Sequence, residues 1–194
     1  MLVLKLRDQV FVGVSLMLLM LVTRGHHFAS LFHLPDASLA VFFLAGVYLR
    51  ARWKFLLLSA MAGVIDWIAI SWGGVSSFCV TPAYAMLLPA YASLWLGGRW
   101  YAKHYHETAT SLMWLIVIAV TSALMAELFA SGGFYFFGGR FAEPTLFGFV
   151  QRLLAYFPHI LSSLALYLGI AASLHSLVVC RRQARGNFDA ERRA

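Results

Sequence analysis

The sequence predicts an all-α integral membrane protein with six transmembrane helices. Apolar residues make up 61% of the 194-residue chain and charged residues only 12%. Soluble domains carry about 25% charged residues, so this chain has too little charge to cover a water-facing surface. The mean hydropathy of +0.77 is spread over long runs rather than alternating positions. That pattern suits helices and excludes barrel strands.

The elements follow from these runs, at roughly 20 residues per span. Helix 1 is expected over 8–24, opened by Lys5 and Arg7. Helix 2 is expected over 36–50, where Pro35 and Asp36 form a start signal because a carboxylate accepts from free helix N–H groups. Both are short for a full span, which implies tilt or local thinning. Helix 3 is expected over 53–72, helix 4 over 82–98 behind Pro82, helix 5 over 109–131 and helix 6 over 147–180. Residues 181–194 form a basic, polar tail suited to an anionic membrane surface. No internal repeat or second domain interrupts residues 1–194. After helix 1 the chain reads Thr23-Arg-Gly-His-His-Phe28, without the small-x-small cleavage site of a signal peptide, so helix 1 is expected to be retained.

The net charge of +7 reports topology rather than nucleic-acid binding. Lys5, Arg7, Arg50, Arg52, Lys54, Arg99, Lys103, Arg181, Arg182, Arg185, Arg192 and Arg193 fall on one side. Arg24, Arg140 and Arg152 fall on the other. The positive-inside rule then places both termini in the cytoplasm. It turns the loops near 25–35, 73–81 and 132–146 outward.

Chemistry-bearing residues converge on that outer side. Cys79 lies in an uncharged loop, and a thiolate there is a candidate soft metal ligand. Cys180 sits at the opposite face, a bilayer away, so the two cannot form a disulfide. Asp66 lies in the outer half of helix 3, where a carboxylate is costly and marks a functional site. Its alternative is a structural role, paired with Arg24 or Arg152. Tyr84 stands in the first turn of helix 4, as a site residue or an interfacial aromatic. His26 and His27 follow helix 1, as ligand-facing groups or a solvated pair. The run Ser131-Gly-Gly-Phe-Tyr-Phe-Phe-Gly-Gly-Arg140 reads as a mobile aromatic lid or as interfacial anchoring. Glu127 either joins the site or pairs with Arg140. His104-x-His106 reads as a solvated turn, and His33, His159 and His175 show no ligand spacing. The chain has no CxxC, HExxH or phosphate-binding glycine loop.

The length, the six-helix layout, the His26-His27 pair, Ile65-Asp66-Trp67 and Cys79-Val-Thr-Pro-Ala-Tyr84 together resemble the BtuM family over essentially the whole chain. These small bacterial cobalamin transporters are similar to the S-components of energy-coupling-factor transporters. The resemblance implies an S-component-like bundle in the bacterial inner membrane, with an outward-open pocket for cobalamin. It implies that Cys79 is an axial ligand of the cobalt and that His27, Asp66 and Tyr84 line the site. A thiolate in the lower axial position displaces the nucleotide base, giving base-off binding, and weakens the opposite bond. Removal of an upper cyanide through Cys79 would be a second, enzymatic activity. Typical S-components carry Ala-x-x-x-Ala in helix 1 for docking a coupling module. Here helix 1 reads Val10-Phe-Val-Gly-Val-Ser-Leu-Met-Leu-Leu-Met-Leu-Val22, which lacks that pattern and favours solitary function. Cobalamin and membrane lipid are the expected partners, with no nucleic acid and no further cofactor. A membrane haem or quinone oxidoreductase subunit and a non-catalytic membrane assembly protein are the competing readings.

Overall fold

The computed structural model describes residues 5–24, 34–49, 51–72, 81–106 and 108–191, with the backbone alone for 109 and 182–191. Its elements are α1 (Leu6–Arg24), α2 (Ser38–Tyr48), α3 (Trp53–Ser71), a 3-10 turn (Pro82–Met86), α4 (Leu87–His104), α5 (Ala109–Phe137) and α6 (Leu146–Glu191). Among the described residues there is no strand. Four helices among the described residues are long and apolar enough to cross a membrane: α1, α3, α5 and most of α6.

Each peripheral helix buries only one stripe. In α1, Gln9, Gly13, Leu16, Met20 and Thr23 face inward, spaced four, three, four and three residues apart. That is the interval that returns to one helical face. The rest of α1 is also apolar, yet Val10, Phe11, Val14, Leu18 and Leu21 are exposed. In α3 the stripe is Leu58, Ala62 and Ile65, with Trp53, Leu56, Val64 and Trp67 exposed. Apolar side chains outside as well as inside are what a bilayer tolerates and water does not.

The central helix is α2. Ser38 and every residue from Ala40 to Val47 are buried. A helix apolar on all sides belongs in a core. Its 11 residues span only about 16 Å, against a hydrocarbon thickness of about 30 Å. Asp36 does act at its start: Oδ1 accepts from the Ser38 backbone N–H at 2.9 Å and from its hydroxyl at 2.7 Å.

α2 meets α4 backbone to backbone. A Cβ on Gly46 would lie 2.1 Å from the Trp95 carbonyl oxygen. A Cβ on Gly98 would lie 2.0 Å from that of Phe43. Small residues permit this approach, as at other membrane helix crossings. The contact seats the stacked pair Phe42–Tyr91, with centroids 4.1 Å apart and planes 7° apart. At one end of the bundle His175 of α6 lies between two phenols, with Tyr105 3.2 Å from Nε2 and Tyr48 3.4 Å from Nδ1.

Three of the helices differ most from their expected bounds. Helix 4 does not begin directly at Pro82: a 3-10 turn comes first, α4 starts at Leu87, and it runs on to His104. Helix 5 does not stop at 131 but continues to Phe137. Its end is set by Gly138 and by Gly139, whose φ of +66° is the left-handed geometry that terminates helices. Helix 6 does not end at 180 either; α6 continues unbroken to Glu191, about 69 Å in all, and contains Pro158. The polar tail therefore extends the last helix rather than forming a separate segment.

Replacing Gly98 with Ala should cost about 1–3 kcal/mol, because carbonyl oxygens in the opposing backbone cannot step aside. Gly169→Ala, where a Cβ meets nothing within 4 Å, should be neutral or mildly stabilising. Thermal unfolding of both variants in detergent checks the contrast.

Candidate functional site

The end of α1, the start of α2, the second half of α3 and the start of α4 meet around one guanidinium. Arg24 closes α1 and makes a two-pronged ion pair with Asp66 of α3. Its Nε–H donates to Oδ1 at 2.7 Å and its NH2 group donates to Oδ2 at 2.7 Å. Its NH1 group donates to Ser38 Oγ at 2.8 Å and to Tyr91 Oη at 2.7 Å. Ser38 brings in Asp36, so four elements are tied through one cation. The side chains are 8% exposed at Arg24 and 24% at Asp66, so the carboxylate alone keeps an open edge. Onto that edge Tyr84, in the 3-10 turn, donates its hydroxyl to Oδ2 at 2.6 Å.

Asp66 and Tyr84 also line a cavity of ≈ 380 Å³. Its far wall comes from the end of α5 and the beginning of α6, and it is strongly aromatic: Phe134, Tyr135, Phe141, Phe149 and Tyr156. Two further ionisable side chains face it. Glu127 accepts a hydrogen bond from Ser131, one turn on in α5. Arg152 lies among rings, its Cζ 5.0 Å from the Phe141 centroid, 5.7 Å from Tyr156 and 6.0 Å from Tyr135. No carboxylate among the described residues pairs with it. The cavity thus combines flat apolar walls, a carboxylate, a phenol–carboxylate pair and a guanidinium poised over aromatic faces.

Of the sequence-predicted site residues, the structure brings Asp66 and Tyr84 into direct contact. His27 and Cys79 lie outside the described residues, as do His26 and His33. Asp66 takes the partner Arg24 rather than Arg152. The expected mobile lid is corrected: residues 131–137 are helical, and their glycines serve packing. A Cβ on Gly133 would press on Met86 Cγ at 2.6 Å, and one on Gly132 would touch Phe149 at 3.4 Å. The glycines let the 3-10 turn and α6 close against α5. Glu127 lines the cavity. The roles of Arg24, Ser38, Tyr91 and Tyr156 had no motif to announce them. The available signal for Arg24 and Arg152 was their place on the cation-poor side of the chain.

No protein-family profile matches the chain, and no curated protein matches it. The site therefore has to be read from its own chemistry.

Arg24 sits in an apolar bundle and depends on its partner. Asp66→Ala should cost about 3–5 kcal/mol by leaving the guanidinium buried and unpaired. Tyr84→Phe removes one hydrogen bond to a charged group, worth about 1.5–3 kcal/mol. The double change Arg24→Met with Asp66→Leu should be less damaging than Asp66→Ala alone. Melting temperatures of the three variants in one detergent give the ranking.

Proposed function

We propose that the protein is a cobalamin transporter of the bacterial inner membrane, with six spans, an S-component-like bundle and both termini in the cytoplasm. Cobalamin is the transported substrate, bound base-off with Cys79 as the axial ligand of its cobalt. The observation that carries the reading is the aromatic-walled cavity containing Asp66, Tyr84, Glu127 and Arg152. It lies where α4 begins, and Cys79 stands five residues before Tyr84 in the chain. A corrinoid presents a broad apolar ring, a fringe of amides and one phosphodiester. Aromatic rings suit the first, carboxylates and phenols the second, and a guanidinium the third.

In this reading Asp66 and Tyr84 act as a unit. Arg24 holds the carboxylate, and the carboxylate orients the phenol toward the ligand. His27 completes the set of polar groups. Arg152 pairs with the phosphodiester of the nucleotide loop. Solitary function is favoured. The outward side chains of α1 are large and apolar, including Phe11, Val14 and Leu18, and Gly13 packs inward on Leu49. That face offers no small-residue strip for a coupling module.

The same site supports decyanation. The Cys79 thiolate donates a lone pair to cobalt(III), forming the Co–S bond. The Co–C bond breaks with its electron pair on cyanide, which takes up a proton as hydrogen cyanide. Water fills the vacated upper position. Cobalt remains cobalt(III), so no oxidant or reductant is consumed.

Purified protein mixed with cyanocobalamin should change the corrinoid absorption spectrum, and Cys79→Ser should abolish the change. An unchanged spectrum, or an equal change with the serine variant, rejects the ligand assignment. Arg152→Gln should weaken cobalamin binding by roughly tenfold, the scale of one charge-assisted hydrogen bond. Binding of cobinamide, which lacks the nucleotide loop and its phosphodiester, should be unaltered in the same variant.

A further inference from the structure

A second cavity, of ≈ 920 Å³, lies between α4 and α5 toward the end of the bundle where α3 begins. Arg52, Arg99 and Lys103 line it, together with Trp95, Trp100 and Trp114. Among the described residues, no aspartate or glutamate does. Charge alone would say little, because cations gather at this end of the chain for topological reasons. Two observations go further.

The first concerns Arg99. Its guanidinium lies over the Trp95 indole, 4.7 Å from the ring centroid, which holds the cation at the cavity wall. Arg52 and Lys103 line the same cavity, so one anionic head meets three cations there.

The second concerns the other wall. Leu96, Val117 and Met125 line the cavity and are 58%, 46% and 46% exposed on the outer surface of the bundle. Trp100 and Trp114 are exposed too, and their rings meet edge to face with centroids 5.9 Å apart. The cavity therefore opens sideways onto the apolar surface of the helices. A free phosphate would use the cations and leave this wall bare. A molecule with an anionic head and apolar tails uses both.

We propose that this cavity is a binding site for an anionic phospholipid of the cytoplasmic leaflet, with the phosphate held by Arg52, Arg99 and Lys103. The acyl chains run along Leu96, Val117 and Met125, and Trp100 and Trp114 sit at the level of the glycerol. Basic pockets between membrane helices are suited to such headgroups. The site is separate from the corrinoid cavity and does not depend on what that cavity binds.

Native mass spectrometry of the full-length protein in mild detergent tests it. Phosphatidylglycerol and phosphatidylcholine of identical chains are titrated separately, with inorganic phosphate as a third arm. Phosphatidylglycerol should bind selectively over phosphatidylcholine, and phosphate should neither bind nor reduce the lipid adduct. Arg99→Gln combined with Lys103→Gln should weaken phosphatidylglycerol binding by roughly ten- to thirtyfold. Lys103→Gln alone changes an exposed side chain. It leaves the fold intact and should still weaken phosphatidylglycerol binding several-fold. Equal retention of the two lipids overturns the proposal, as does phosphate competing as a free ligand. So does undiminished phosphatidylglycerol binding by Lys103→Gln.

Discussion

The Arg24–Asp66 ion pair is the interaction around which this bundle is arranged. An arginine in an apolar helical assembly is tolerable only with its charge balanced and its N–H groups occupied. Asp66 supplies the counter-charge from α3, while Ser38 and Tyr91 accept from α2 and α4. Four elements must therefore meet at one point. The demand is directional, because a planar guanidinium accepts partners only in its own plane. Hydrophobic contact sets which faces of the helices touch; this pair sets their rotation and height at that end.

A second constraint, the backbone contact of α2 with α4, makes the first possible. With Gly46 and Gly98 facing carbonyl oxygens, these two helices approach as closely as the backbone permits. Tyr91 is thereby brought under Phe42 and its hydroxyl within reach of Arg24. A larger side chain at either glycine would lift α4 away, and Tyr84, at the head of the same element, would move with it. Packing deep in the bundle thus determines the position of a phenol at the cavity. The phenol's hydrogen-bond acceptor, Asp66, is held by Arg24 of α1.

Much of this was legible in the sequence, and the reasons for the rest are specific. Apolar runs located each helix and the bounds of the first three closely, because burial and bilayer both demand apolarity over a fixed length; the bounds of the last three lay further off. Asp66 stood out as a carboxylate in an apolar run, and Arg24 was one of its two suggested partners. Choosing between Arg24 and Arg152 required helix rotation, which runs apolar on every face do not encode. Residues 131–137 misled for a related reason. Glycine signals either a turn or a close approach, and composition does not separate them. Gly138 and Gly139 make the turn, whereas Gly132 and Gly133 admit neighbours to the face of α5. The aromatic ring set around Arg152 draws on two elements and the connection between them, so no local spacing announces it. Cys79 and His27 lie outside the described residues, and their part in the site rests on sequence.

The charge balance of the cavity narrows what it suits. Asp66 is already neutralised by Arg24, so its remaining lone pairs accept hydrogen bonds without presenting a net charge. Tyr84 spends its proton on that carboxylate and offers its oxygen as an acceptor. Glu127 and Arg152 then contribute one formal charge of each sign to the same cavity. The walls between them are aromatic. A simple anion would be opposed by Glu127 and a simple cation by Arg152. On the proposed reading, a large, flat molecule with a single anionic group and many amide donors would engage all four polar side chains while its apolar faces rest on the rings. Haem would suit that arrangement less well, because its two propionates would bring a second negative charge toward Glu127.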